Sequence, residues 1–193
     1  MLKKRVQDPK AKRVAILASA ARLFAQQGYE ATSIAAIAGD AGVAVGSVYR
    51  QFPDKVAVLS ALHHDLEHGL ISVMEAAWAD DLPYLERFKP MFAALFAALT
   101  EIHSIMPILA MTKELVGNGD YISGEAMIAA IRRMYFEGVE NGALRDYLPE
   151  IMPSLLHGMV NGGLSAWAAN PSKTTQDDIV ATLTDAAQAI AKI

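Results

Sequence analysis

The chain has 193 residues, 53% of them apolar, enough for one ample core or two small ones. It has no cysteine, which excludes disulfides, thiolate metal sites and cysteine nucleophiles and suits a reducing cytoplasm. The net charge of −4 hides an asymmetry, because residues 1–64 carry nine Lys/Arg against four Asp/Glu while the rest carries eight against seventeen; a cationic end of this kind suits a phosphate backbone, or only solvent.

The first ten residues are basic, but no apolar core follows them, so they do not read as a secretory signal. The longest continuous apolar run spans residues 91–99, about half of what a membrane span needs. No membrane partner is expected.

Everything reads helical, because apolar residues recur at three and four rather than in alternation. Val14, Leu17, Ala18, Ala21, Phe24 and Ala25 form the stripe of a first helix, with Arg13, Ser19, Arg22 and Gln26 off it. Gly28 ends that helix in a left-handed turn. Thr32 is expected to cap a short second helix, whose buried face is Ile34, Ile37, Ala38 and Ala41. Gly42 stops it with positive φ, and Val43 plugs the turn. A third helix runs over residues 45–51, with Val48 and Phe52 inward. Pro53 ends it, and Asp54 starts a fourth helix.

Residues 56–79 read as one long helix, broken by Asp80-Asp81-Leu82-Pro83. Residues 88–104 are apolar on nearly every face, which predicts a central, buried helix. A shorter helix follows Pro107, then a loop at residues 117–120. Further helices are predicted over about 123–140, 149–169 and 174–192, with breaks at Asn141-Gly142 and Asn170-Pro171.

Residues 32–52 have the plan of a helix-turn-helix. Ala38, Gly39, Ala41, Gly42, Val43 and Ala44 are small enough for the turn and the helix contact. Val45, Gly46, Ser47, Tyr49, Arg50 and Gln51 give a small, polar leading edge for the major groove. Ser47 and Tyr49 can donate to phosphates, and Arg50 adds charge. Duller roles remain open: Tyr49 packing on the first helix, Arg50 merely solvated, Thr32 merely a cap.

The run Thr32-Ser33-Ile34-Ala35-Ala36-Ile37-Ala38, continued by Ala41-Gly42-Val43-Ala44-Val45-Gly46-Ser47-Val48-Tyr49-Arg50-Gln51-Phe52-Pro53-Asp54-Lys55, resembles the headpiece of the tetracycline-repressor family. Leu23-Phe24 and Gly28-Tyr29 resemble that family's first helix. The resemblance covers about 45 residues and implies an all-α fold of about nine helices. It further implies a DNA-binding part at 1–55 and a ligand-binding and dimerisation part at 56–193. It places Thr32, Tyr49 and Lys55 at phosphates and Val45, Gly46 and Ser47 at base edges, with Ser33 also in the DNA-binding set. Arg50, where the family often has histidine, reaches phosphate or base. Ala44 departs from the family's usual capping serine, a loss of about 1 kcal/mol. Lys3, Lys4 and Arg5 form either an arm over DNA or a solvated tail.

A single headpiece reads half an operator, so a homodimer on a pseudo-palindromic site is expected. Ser154, Gly158, Gly162 and Ala166 make a ridge for close helix approach, and Ile179, Leu183, Ala186, Ala187 and Ile190 a matching stripe. The alternative is packing within one chain. Trp78, Phe92, Phe96, Leu99, His103, Met106, Met127, Ile131 and Asn161 are candidate walls of a pocket for an apolar or amphipathic effector, with core packing as the competing role. His103 is read as a histidine satisfied within the core. His63 and His64 diverge by about 100° and do not share a metal. No cofactor is expected. No Ser/His/Asp arrangement, phosphate loop or metal spacing points to an enzyme. The expected function is a DNA-binding regulator, acting as a repressor under a small effector; the alternative is a dimeric regulator without one, governed by a protein partner or its own concentration.

Overall fold

A computed structural model describes residues 8–78, 80–105, 108, 124–146, 149–169 and 174–192. Residues 3–5, Met106, the helix expected after Pro107, the loop at 117–120 and the break at 170–171 lie outside the described residues. So do the side chains of His103 and Ile190.

Every regular element among the described residues is helical: α1 (Pro9–Gln27), α2 (Ile34–Ala41), α3 (Val45–Tyr49), α4 (Lys55–Ala77), α5 (Phe88–Ile102), α6 (Glu125–Glu140), α7 (Met152–Ala169) and α8 (Gln176–Lys192). Two short 3-10 turns, Tyr84–Glu86 and His103–Ile105, join them. The all-α expectation holds, with eight α-helices described.

The chain divides into two compact units, residues 1–66 with 102–123 and residues 67–101 with 124–193. In the first, α1 starts from an Asp8 cap with Pro9 at its first position. Ile16, Leu17, Ala20 and Phe24 are its buried residues, joined by Ser19. Val14, Ala18 and Ala25 are exposed, so the predicted stripe was rotated. The true stripe follows i, i+4, i+8 through Ile16, Ala20 and Phe24. These residues pack with Tyr29, Ile34, Ile37, Ala38, Val48, Phe52, Val58, Leu59 and Leu62. Ile105, from the second 3-10 turn, belongs to the same cluster.

The second unit has its own core, formed by Ile71, Met74, Trp78, Tyr84, Phe88, Met91, Phe92, Phe96, Met127, Ala130, Ile179, Val180, Leu183 and Ala187. α5 contributes Phe88, Met91, Phe92, Leu95, Phe96 and Leu99 as buried residues. Its alanine side is open: Ala97 is exposed and Ala93, Ala94 and Ala98 are half-buried. The helix is therefore one-sided rather than buried all round. A polar clasp sits at the edge of this core. Glu137 accepts from Trp78 Nε1 at 2.9 Å and from Arg87 at 2.6 Å, and Arg87 Nε donates to the Leu82 carbonyl at 2.8 Å. Tyr84 donates its hydroxyl to the Met134 carbonyl at 2.7 Å. Burial and Glu137 push its phenol pKa upward. At the start of α8, Thr175 and Asp178 cap each other's backbone N–H groups.

Candidate nucleic-acid interface

The headpiece positions α3 through one tight turn. Gly42 takes φ 69°, ψ 28° at the end of α2, the left-handed conformation glycine enters without a Cβ clash. Its N–H reaches the Gly39 carbonyl at 3.3 Å, and the Val43 N–H reaches the Ala38 carbonyl at 3.0 Å. This pair of bonds is the Schellman stop. Gly28 also has positive φ (84°), but its ψ of 165° is extended, so the expected left-handed helical turn is absent there.

Ser33, and not Thr32, caps α2: its Oγ accepts the Ala36 N–H at 3.1 Å. Thr32 is 1% exposed, donates its hydroxyl to the Gly28 carbonyl at 2.8 Å and accepts from Gln27 at 3.1 Å. The bond back to Gly28 fixes the loop, and this leaves the cap to the next hydroxyl in the chain. Lys55 is also internally engaged. Its Nζ donates to the Tyr29 and Glu30 carbonyls at 2.8 and 3.3 Å and lies 4.2 Å from the centre of the Tyr29 ring. Burial raises the Tyr29 pKa, with the Glu30 and Asp54 carboxylates adding to it.

Ala44 stands at the N-cap of α3 and supplies no side-chain cap. The helix spans five residues and ends at Tyr49, two earlier than predicted, with Arg50 as its C-cap. Val48 and Phe52 point inward at 0% and 3% exposure. Val45, Gly46, Tyr49 and Arg50 face out. Tyr49 is 55% exposed. Ser47 is buried and accepts from Arg50 at 2.9 Å. Arg13 and Arg22 are paired with Asp65 and Asp40, and Arg13 also lies over the Phe52 ring. Asp54 caps α4 through the Ala57 N–H at 2.7 Å.

The other predicted sites divide as follows. Trp78, Phe92, Phe96 and Met127 are packed together in the second core, with Ile131 against it and Leu99 also buried. Asn161 is exposed and bonded to His157 at 3.1 Å. Burial lowers the His157 pKa, with Glu67 opposing. Ile179, Leu183 and Ala187 are buried within their own chain, so they are not the free face predicted for a partner. Ser154, Gly158, Gly162 and Ala166 are exposed, as are Ile151 and Leu155 beside them. Sequence reasoning missed these two apolar residues, although their spacing of four was legible.

Residues 16–62 match the family described as bacterial regulatory proteins, tetR family. The chain is 36% identical over 117 residues to the HTH-type transcriptional repressor KstR of Mycolicibacterium smegmatis, covering 59% of this chain and 55% of that protein. It is 23% identical over 167 residues to the fatty acid metabolism regulator protein of Bacillus subtilis, covering 82% and 84%. The transcriptional regulator FadR from Bacillus subtilis, in complex with stearoyl-CoA, shares the fold at a TM-score of 0.72 and 19% identity, over 92% of this chain and 98% of that one.

Proposed function

We propose that the chain, whose residues 16–62 match the tetR family of bacterial regulatory proteins, is a cytoplasmic, homodimeric repressor of a pseudo-palindromic operator. The observation that carries this reading is the outward face of α3, Val45, Gly46, Tyr49 and Arg50, held on a Schellman turn. A small leading edge lets the helix backbone approach base edges, while Tyr49 and Arg50 supply donors. In this reading residues 1–55 contact DNA and residues 56–193 sense and dimerise. The exposed ridge of α7, with Ile151 and Leu155, is the face offered to a second copy. Ser33 and Tyr49 take phosphates; Thr32 and Lys55 support the scaffold from inside.

The effector we propose is an acyl thioester of coenzyme A. Two observations support that class: the similarity to a fatty acid metabolism regulator, and the fold shared with FadR in complex with stearoyl-CoA. The core of the second unit is rich in side chains that can re-pack around a chain, Met74, Met91 and Met127 among them. Binding there shifts the population of headpiece arrangements. The packing of Trp78, Phe92, Phe96 and Met127 into one cluster favours a second reading, a regulator without effector.

Fluorescence anisotropy on promoter fragments from beside the gene tests both parts. Sequence-specific binding that weakens at least tenfold with stearoyl-CoA, and not with coenzyme A alone, is expected. Binding indifferent to every acyl chain length leaves the second reading; no specific binding removes both.

A further inference from the structure

The first turn of α3 brings little hydrogen-bonding chemistry of its own to a base edge. Val45 is apolar, Gly46 has no side chain, and Ser47 is 7% exposed. The guanidinium of Arg50 nevertheless lies beside that turn, because its NH2 donates to Ser47 Oγ at 2.9 Å. The side chain therefore runs back along the helix, the direction in which helical side chains lean. Gly46, four residues before Arg50, shares that flank, and a Cβ there would meet nothing within 4 Å. Open space thus borders the place where the guanidinium is held.

The bond orients Arg50 without neutralising it. Its acceptor is a hydroxyl, whereas Arg13 and Arg22 are paired with carboxylates. A guanidinium has five N–H donors in a planar fork, and one bond to Ser47 leaves the rest for a second partner. Among the bases, guanine presents two acceptors, O6 and N7, in the major groove at the spacing of that fork.

We propose that Arg50 is the base-reading residue of α3 and selects a guanine in each half-site, with Ser47 as the positioning residue that brings it to the tip. The inference rests on the reading of the chain as an operator-binding protein. It assigns Arg50 to a base rather than to a phosphate.

Selection of bound sequences from a random duplex library, followed by titration at several salt concentrations, tests it. Wild type is expected to require guanine at one position per half-site, preferred over other bases by about 5- to 150-fold. R50A flattens that position. R50K keeps the charge and the salt slope but loses most of the preference, since an ammonium lacks the fork. S47A weakens the preference without changing the salt slope, and S47T restores it. The proposal is overturned if the guanine preference survives in R50A while all sequences weaken alike and the salt slope falls by about 1, the signature of a phosphate contact. A wild type that selects no sequence overturns the operator-binding reading itself, and this inference with it.

Discussion

α2 and α3 are neighbours in one headpiece and are held by opposite means. α2 carries its own stops: the Ser33 hydroxyl at its start and the Gly42 turn at its end. α3 has five residues and no side-chain cap. A helix so short is not stable alone, because nucleation is costly and few bonds repay it. What holds α3 is burial of Val48 and Phe52 in the headpiece core. The proposed DNA-facing helix is thus fixed from behind, and on its front the Arg50 guanidinium is bonded to Ser47. Position is supplied by packing and by the preceding turn; local propensity contributes little.

Removing the packing is the strongest way to break this contrast. Phe52→Ala is expected to cost about 3–5 kcal/mol in urea unfolding, from lost burial and the cavity left behind. It also withdraws the ring beneath Arg13. A loss below about 1 kcal/mol would mean α3 does not depend on its back face. The turn comes next. Gly42→Ala places a Cβ in the left-handed region and is expected to cost about 1–2 kcal/mol. Unchanged stability would show that the stop of α2 tolerates another geometry. The caps give the smallest effects, with opposite signs. Ser33→Ala should lose about 1 kcal/mol, and Ala44→Ser should gain a similar amount by supplying α3 with the oxygen it lacks. Thermal unfolding of the two variants side by side checks this. A shift of the same sign in both would remove capping as the difference between the helices.

Much of the headpiece was legible because its signals are local. A glycine after a small-residue run marked the stop at Gly42, and a four-residue spacing marked Val48 and Phe52 as inward. Ala44 was recognisably a missing cap. Other features depend on which groups the fold brings together. α1 has apolar residues on several faces, so periodicity alone selected Leu17 and Phe24 correctly but took Val14, Ala18 and Ala25 in place of Ile16 and Ala20. The choice between Thr32 and Ser33 was decided by the bond from Thr32 to Gly28, which no spacing rule contains. Ile105 fills the headpiece core from beyond α5, a long-range contact without local signature. An apolar stripe such as Ile179, Leu183 and Ala187 is the same string of letters whether its cover is the chain itself or a second copy. Ser47 read as a surface hydroxyl because small polar residues give no hint of burial; its role emerges only with the direction of Arg50.

The Tyr84 ring packs so closely on α6 that a Cβ built at Gly138 would come within 2.4 Å of it. No substitution at Gly138 leaves that ring where it is, and moving the ring withdraws its hydroxyl from Met134. For inheritance, then, positions 84 and 138 behave as a single character. A lineage that enlarges the glycine must make room at Tyr84 and at Leu144, whose Cδ1 would lie 2.7 Å from the same Cβ, so drift at position 138 alone meets a barrier that distance in the gene conceals.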